Sequence, residues 1–249
     1  MYKRQEIGFI AHIKDHIFIL GLQGELRIQN LKSKKVLKSI PIEPKIKLNR
    51  INDGKTDPAG NLWFGTMDNL ERNIEKGSLY KLDKNLKLTK VDKNYRITNG
   101  PAFIDEYNLY HTDSRKKTIY KIKINKKNKI ISKNIFKKLS PEEGVPDGMT
   151  LDKNKNLWVA HFRGACVSVF NSKAKLIHRI QFPAKNITNC AFGGKNNQEL
   201  YVSTATKGMN KADLRKFRYS GFFFSVKTNS KGILQKKFIL SNEEKRSLL

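Results

Sequence analysis

Acidic residues are scarce in this chain: 22 Asp and Glu stand against 50 Lys and Arg, a formal net charge of +28 over 249 residues. Cysteine is scarcer still. The two present, Cys166 and Cys190, lack the spacing of a metal knuckle, and each sits in an apolar, strand-like stretch, which predicts reduced, buried thiols rather than a disulfide. No run approaches the roughly 18 apolar residues that a membrane-spanning helix needs, and the opening residues, Met-Tyr-Lys-Arg-Gln-Glu-Ile-Gly, hold no apolar secretory segment. A soluble cytoplasmic protein without membrane association is expected, in which the sequon Asn186-Ile187-Thr188 has no role. No Gly-x-Ser-x-Gly elbow surrounds Ser114 or Ser203, which argues against a serine hydrolase. No pair among the 5 histidines has metal-ligand spacing, and His111 and His161, which follow Leu-aromatic strands, read as core or rim residues.

The basic excess is dispersed rather than gathered. In Lys121-Ile122-Lys123-Ile124-Asn125-Lys126 the lysines alternate with apolar residues, as on the solvent face of a strand, and no aromatic-interleaved or helix-turn-helix signature accompanies them. Specific nucleic-acid binding is therefore not expected. A hydrophobic content of 38% suffices for a sizeable core, and no linker or low-complexity stretch divides the chain, so residues 1–249 read as a single domain.

Self-similarity is the strongest signal present. Turn residues followed by a Leu-aromatic strand recur at Asp57-Pro58-Ala59-Gly60-Asn61-Leu62-Trp63-Phe64, Asp105-Glu106-Tyr107-Asn108-Leu109-Tyr110, Asp152-Lys153-Asn154-Lys155-Asn156-Leu157-Trp158 and Asn196-Asn197-Gln198-Glu199-Leu200-Tyr201, a period of about 43 to 48 residues. A fainter copy is His12-Ile13-Lys14-Asp15-His16-Ile17-Phe18. Each copy precedes a second alternating strand, such as Ser78-Leu79-Tyr80-Lys81-Leu82 or Cys166-Val167-Ser168-Val169-Phe170. About four short strands per repeat, joined by Asn/Asp/Gly turns, predict an all-β fold, a β-propeller with a central channel. Little helix is expected beyond a short turn near Lys211-Ala212-Asp213-Leu214-Arg215, and Trp63 and Trp158, at matching positions, read as core.

Polar clusters break this pattern in phase with it: Asn49-Arg50-Ile51-Asn52-Asp53-Gly54, Thr98-Asn99-Gly100-Pro101, Val145-Pro146-Asp147-Gly148 and Thr188-Asn189-Cys190. One such cluster alone is a turn, since Asn-Gly and Asp-Gly are turn dipeptides. Recurrence at one phase of a propeller aims Asn52, Asn99, Asp147 and Asn189 at a common axis, where amide and carboxylate oxygens suit a hard divalent cation or Zn²⁺.

These stretches, together with Lys55-Thr56-Asp57-Pro58-Ala59-Gly60, Gly65-Thr66-Met67, His111-Thr112-Asp113-Ser114 and Ala191-Phe192-Gly193-Gly194, resemble the senescence marker protein/gluconolactonase family, which includes regucalcin. The resemblance runs from about residue 10 to about residue 240. It implies a six-bladed propeller, one divalent cation (Ca, Zn, Mg or Mn) in the channel, and hydrolysis of a small-molecule sugar lactone to the aldonic acid. By motif, Asn99 and Asp147 resemble metal ligands, Asp147 resembles the catalytic base, and Arg50 and Asn52 resemble substrate-binding residues. Members of the family begin with a strand whose Glu-Gly-Pro-type motif completes the metal site; this sequence has no such motif, and Glu6 falls at the wrong phase to replace it. The expectation is a propeller with its first blade missing or incomplete. The alternative to a lactonase is a non-catalytic propeller that binds calcium or a protein.

Overall fold

The computed structural model describes residues 6–248, which form five sheets. The first is β1 (Phe9–Lys14), β2 (Ile17–Gly21), β3 (Glu25–Asn30) and β4 (Val36–Pro41). The second is β5 (Asn49–Thr56), β6 (Leu62–Asp68), β7 (Gly77–Leu82) and β8 (Leu88–Tyr95). The third is β9 (Thr98–Phe103), β10 (Asn108–Asp113), β11 (Thr118–Ile124) and β12 (Ile130–Lys138). The fourth is β13 (Val145–Leu151), β14 (Leu157–Phe162), β15 (Cys166–Phe170) and β16 (Leu176–Gln181), and the fifth is β17 (Asn186–Gly193), β18 (Glu199–Ala205) and β19 (Phe223–Lys227). Each is an antiparallel meander, and the first strands of successive sheets pack in series, β1 to β5 to β9 to β13 to β17. This is a propeller of five blades among the described residues, as the repeat predicts. No helix among them is long and apolar enough to cross a membrane.

Burial follows radius. The second strands are wholly buried over Leu62–Asp68 and nearly so over Leu157–Phe162, whereas the outermost strands β4, β8, β12 and β16 are half exposed. Those outer strands carry 7 of the 50 Lys and Arg. Lys133 of β12, for instance, pairs with Asp92 at 2.7 Å and lies 4.2 Å from the Tyr95 ring. Apolar layers fill the spaces between blades. Trp63, Leu79 and Tyr95 of the second meet Phe103, Leu109 and Ile122 of the third, and Trp158 and Val167 of the fourth meet Ile187 and Leu200 of the fifth. Both cysteines are free and buried.

The recurring Asp-to-Leu-Trp turn has a local cause. Asp57 and Asp152 each accept the backbone N–H of the residue four positions on, Asn61 at 2.8 Å and Asn156 at 2.9 Å, and each then accepts the indole Nε1–H of its tryptophan, at 2.8 Å from Trp63 and 3.1 Å from Trp158. One buried carboxylate therefore closes the turn and satisfies the only polar atom of a core aromatic. Asp152→Ala leaves the Trp158 indole N–H and the Asn156 amide without their acceptor, and is expected to cost about 2–3 kcal/mol in urea unfolding.

The expected short helix is α1 (Lys211–Lys216), capped where Asn210 accepts the Asp213 N–H at 2.8 Å. The segment after β19 shows no repeat pattern, yet it is ordered by tertiary contacts. Backbone bonds tie Ile233 to Leu151, Phe238 to His12, Ile239 to Gly60 and Ser241 to Lys84. Phe238 and Leu240 enter the core between the first two blades, and α2 (Asn242–Leu248) ends the run with Glu244 at 3.1 Å from Lys38.

Candidate active site in the propeller channel

Four of the five innermost strands lose register with their neighbours at the same depth. The breaks fall between Ile51 and Gly54 of β5, Asn99 and Ala102 of β9, Pro146 and Met149 of β13, and Ile187 and Asn189 of β17. An extra residue at such a bulge leaves the ladder and re-aims side chains. The residues released or flanked by it are Asn52 and Asp53, Asn99, Asp147, and Thr188 and Asn189, the polar clusters that recur in sequence. Gly148 is needed beside Asp147 because a Cβ there would lie 2.2 Å from the Asn189 side chain.

These residues line one cavity of about 390 Å³. Arg50, Asn52, Asn99 and Asp147 all reach it, as does Asn189, so the structure brings together every residue singled out by motif. A hydrogen-bond chain crosses three blades: Arg50 Nη1 donates to Asn52 Oδ1 at 2.6 Å, Asn52 Nδ2 donates to Asn99 Oδ1 at 3.0 Å, Asn99 Nδ2 donates to Ser114 Oγ at 2.7 Å, and Ser114 donates to the Pro146 carbonyl at 2.6 Å. Each side chain fixes the next, so the amide orientations are set before any ligand arrives. Arg50 also has carboxylates at longer range, Glu6 at 3.7 Å and Glu71 at 3.9 Å. Burial lowers its pKa, and Glu6, Glu71 and Asp147 oppose that shift.

Asp147 is half-buried and faces the cavity, and no side-chain donor among the described residues reaches its carboxylate. Desolvation first, and then the neighbouring Asp53, hold its pKa well above the ordinary carboxylate range; Arg50 and the Gly148 N–H pull the other way. Asp53 is buried and accepts the Gly54 N–H at 2.8 Å and the Gly100 N–H at 2.9 Å, yet burial raises its pKa as well. Two desolvated carboxylates with amide oxygens beside them form a donor set that a cation would relieve, and the residues present fit a hard divalent ion on that ground. Among the described residues no three His, Cys, Asp or Glu side chains surround a common point. An ion here would rest on Asp147, neutral oxygens such as Asn99 Oδ1, and water.

His111 and His161 are fully buried and do not line the cavity, and Trp63 and Trp158 are core. Several cavity residues escaped the sequence reading. Asp53 belongs to a recurring polar cluster and Ser114 to the His111-Thr112-Asp113-Ser114 stretch, but neither is marked by the sequence as a cavity residue. Glu71, Arg115, Arg163 and Lys207 also reach the cavity. Their signal was available, since each follows the Leu-aromatic strand of its own repeat, but loops of unequal length hide the equivalence.

Residues 1–206 match the family described as the SMP-30/Gluconolactonase/LRE-like region. The chain is 34% identical over 186 residues to the "Putative sugar lactone lactonase YvrE" of Bacillus subtilis, an alignment covering 74% of this chain and 63% of that one. It is 32% identical over 206 residues to the regucalcin of Oryctolagus cuniculus, covering 79% and 68%. Among solved structures it is similar to a luciferin-regenerating enzyme, with a TM-score of 0.86 at 30% identity over 96% of this chain and 83% of the other. The chain spans less than two thirds of the length of the first curated relatives it matches.

Proposed function

The chain belongs to the SMP-30/gluconolactonase/LRE-like family, and from that premise we propose that it hydrolyses sugar lactones, with Asp147 as the general base and Arg50 and Asn52 holding the substrate. The observation that supports this reading most is the convergence of Arg50, Asn52, Asn99 and Asp147 on one cavity through bulges in three adjacent blades.

The Asp147 carboxylate removes a proton from a water in the cavity as the water oxygen attacks the lactone carbonyl carbon. A base whose proton affinity is raised by desolvation is suited to that transfer near neutral pH. The ring C–O bond then breaks, and the proton returns to the leaving alkoxide, so lactone and water give one hydroxy acid. Arg50, held by Asn52 at 2.6 Å, is placed to bind sugar hydroxyls or the oxygen that gains charge in the transition state. When bound, a divalent cation supplies Lewis-acid polarisation of the carbonyl, and Asn99 Oδ1 and the Asp147 carboxylate are the atoms that would hold it.

The test is acid release in a pH-stat from a panel of aldonolactones, run with Ca²⁺, Zn²⁺, Mg²⁺ or Mn²⁺ and again in excess chelator. Hydrolysis that the chelator removes and one of the cations restores is expected. Full activity in chelator overturns the cation's role. Cation binding without acid release from any lactone replaces the lactonase with a non-catalytic binding propeller.

A further inference from the structure

The rim of the channel carries a charge pattern that hydrolysis of a neutral sugar lactone does not require. The loops after the second strands of the second, third, fourth and fifth blades each send one charged residue to the cavity: Glu71, Arg115, Arg163 and Lys207. Two of the four neutralise each other, since the Lys207 ammonium rests on the Glu71 carboxylate, which also faces Arg50. Arg115 and Arg163, from adjacent blades, have no carboxylate within ion-pair distance among the described residues, although both line the cavity. The acid that acts on Arg163 through space, Asp213, is held by Lys185 at 2.5 Å.

Both arginines are exposed at the mouth of the site, on backbone that the site's own residues position. Arg115 follows Ser114, whose hydroxyl joins Asn99 to Pro146. Arg163 has a left-handed backbone, with φ of 66°, in a turn closed by the Gly164 N–H on the His161 carbonyl at 3.1 Å, and its guanidinium lies 5.9 Å from the ring of Phe162, itself a cavity residue. Arginine at these places is not explained by the bulk charge. The chain's basic residues comprise 39 lysines and 11 arginines, and 3 of the 11 arginines, Arg50, Arg115 and Arg163, line this one cavity. Acids lie within, at Asp53 and Asp147, and unpaired planar cations lie at the rim. That polarity fits a ligand whose electrophilic ring sits inside and whose far end is a compact anion.

Resting on the lactonase reading, we propose that the substrate is a phosphorylated sugar lactone, with its phosphate held at the rim by Arg115 and Arg163. The guanidinium fork matches phosphate oxygens two at a time, and a dianion answers the unpaired positive charge that both arginines bring to this cavity.

The test compares kcat/KM for 6-phosphogluconolactone with that for gluconolactone, and for an aldaric-acid lactone that carries a carboxylate in place of the phosphate. The phosphorylated substrate is expected to be preferred by at least about tenfold at low ionic strength, with the preference shrinking as salt screens the pairing. Arg115→Ala and Arg163→Ala should each lower that ratio roughly tenfold, and Lys at either position should restore part of it. A ratio near one, or a ratio unmoved by either substitution, overturns the proposal while leaving the lactonase standing. An equal preference for the carboxylate lactone reassigns the rim and overturns the phosphate. Should no lactone be hydrolysed, calorimetry with 6-phosphogluconate and gluconate decides separately. Tighter binding of the phosphorylated acid, lost in Arg115→Ala and Arg163→Ala, upholds the rim site without the reaction, and equal binding sinks it.

Discussion

Asp147→Asn is expected to lower kcat for lactone hydrolysis by about 10³-fold while making the cation-free protein more stable. The substitution keeps the shape of the side chain and one neutral oxygen, and it removes the group that accepts the proton from water; positioned bases contribute about 10² to 10⁴ in rate. The gain in stability has the same physical origin. In the native cavity the charged carboxylate is desolvated, stands beside Asp53 and Glu71, and receives only one backbone N–H, so its ionised form is disfavoured relative to the unfolded chain. Because the folded-state pKa is raised, the penalty is absent below the unfolded value and grows as pH rises above it. At neutral pH the amide escapes that penalty, and about 0.5–2 kcal/mol of stabilisation is expected in urea unfolding in chelator. Both readouts are needed, since a purely structural turn residue predicts lost stability and unchanged turnover. Added cation should narrow the gap between the two proteins, because it compensates a charge that only the wild type carries.

The repeat was legible because each blade must solve the same local problem. Asp57, Asp105 and Asp152 each accept the backbone N–H of the asparagine that ends their turn, and two of them also anchor a buried indole. A constraint of that kind leaves its mark residue by residue. The site was legible for a related reason: bulges that re-aim side chains occur at one phase, so the polar residues they release recur at that phase. The bulges themselves were not legible, since a register break depends on the neighbouring strand as much as on the residue that leaves the ladder. Nor was the path of the segment after β19. Phe238 and Leu240 belong to the short apolar run Phe238-Ile239-Leu240, which matches no repeat, and it is the groove between the first two blades that buries the outer two and leaves Ile239 exposed. The rim arginines lay between these extremes, because their positions are equivalent in space while their spacing from the marker leucines varies with loop length.

A second large effect belongs to a residue that does not line the cavity. His111 on β10 is fully buried against the edge of Tyr95, their ring centroids 4.9 Å apart, and neither of its ring nitrogens has a hydrogen-bond partner among the described residues. Burial drives its pKa from 6.5 down to about 3; Asp92 opposes the shift and Lys133 adds to it. Above pH 6.5 the imidazole is neutral in both the folded and the unfolded chain, and it makes no pH-dependent contribution. Between about 6.5 and about 3 the unfolded chain binds a proton that the native state refuses, so stability falls as the pH is lowered through that window. The whole interval corresponds to about 4–5 kcal/mol, and at pH 4.5 roughly 2–3 kcal/mol should already be lost. His161 adds to the loss, because burial lowers its pKa as well. Urea unfolding of the wild type and of His111→Phe at pH 7 and pH 4.5 isolates the contribution of His111, since every other titrating group is common to both. Phenylalanine fills the same apolar site without an unpaired nitrogen, so the variant should match or exceed the wild type at pH 7 and outlast it by the full 2–3 kcal/mol at pH 4.5. Parallel losses in the two proteins would mean that the buried ring takes up its proton as readily as in the unfolded chain, and that acid acts on this propeller through other groups.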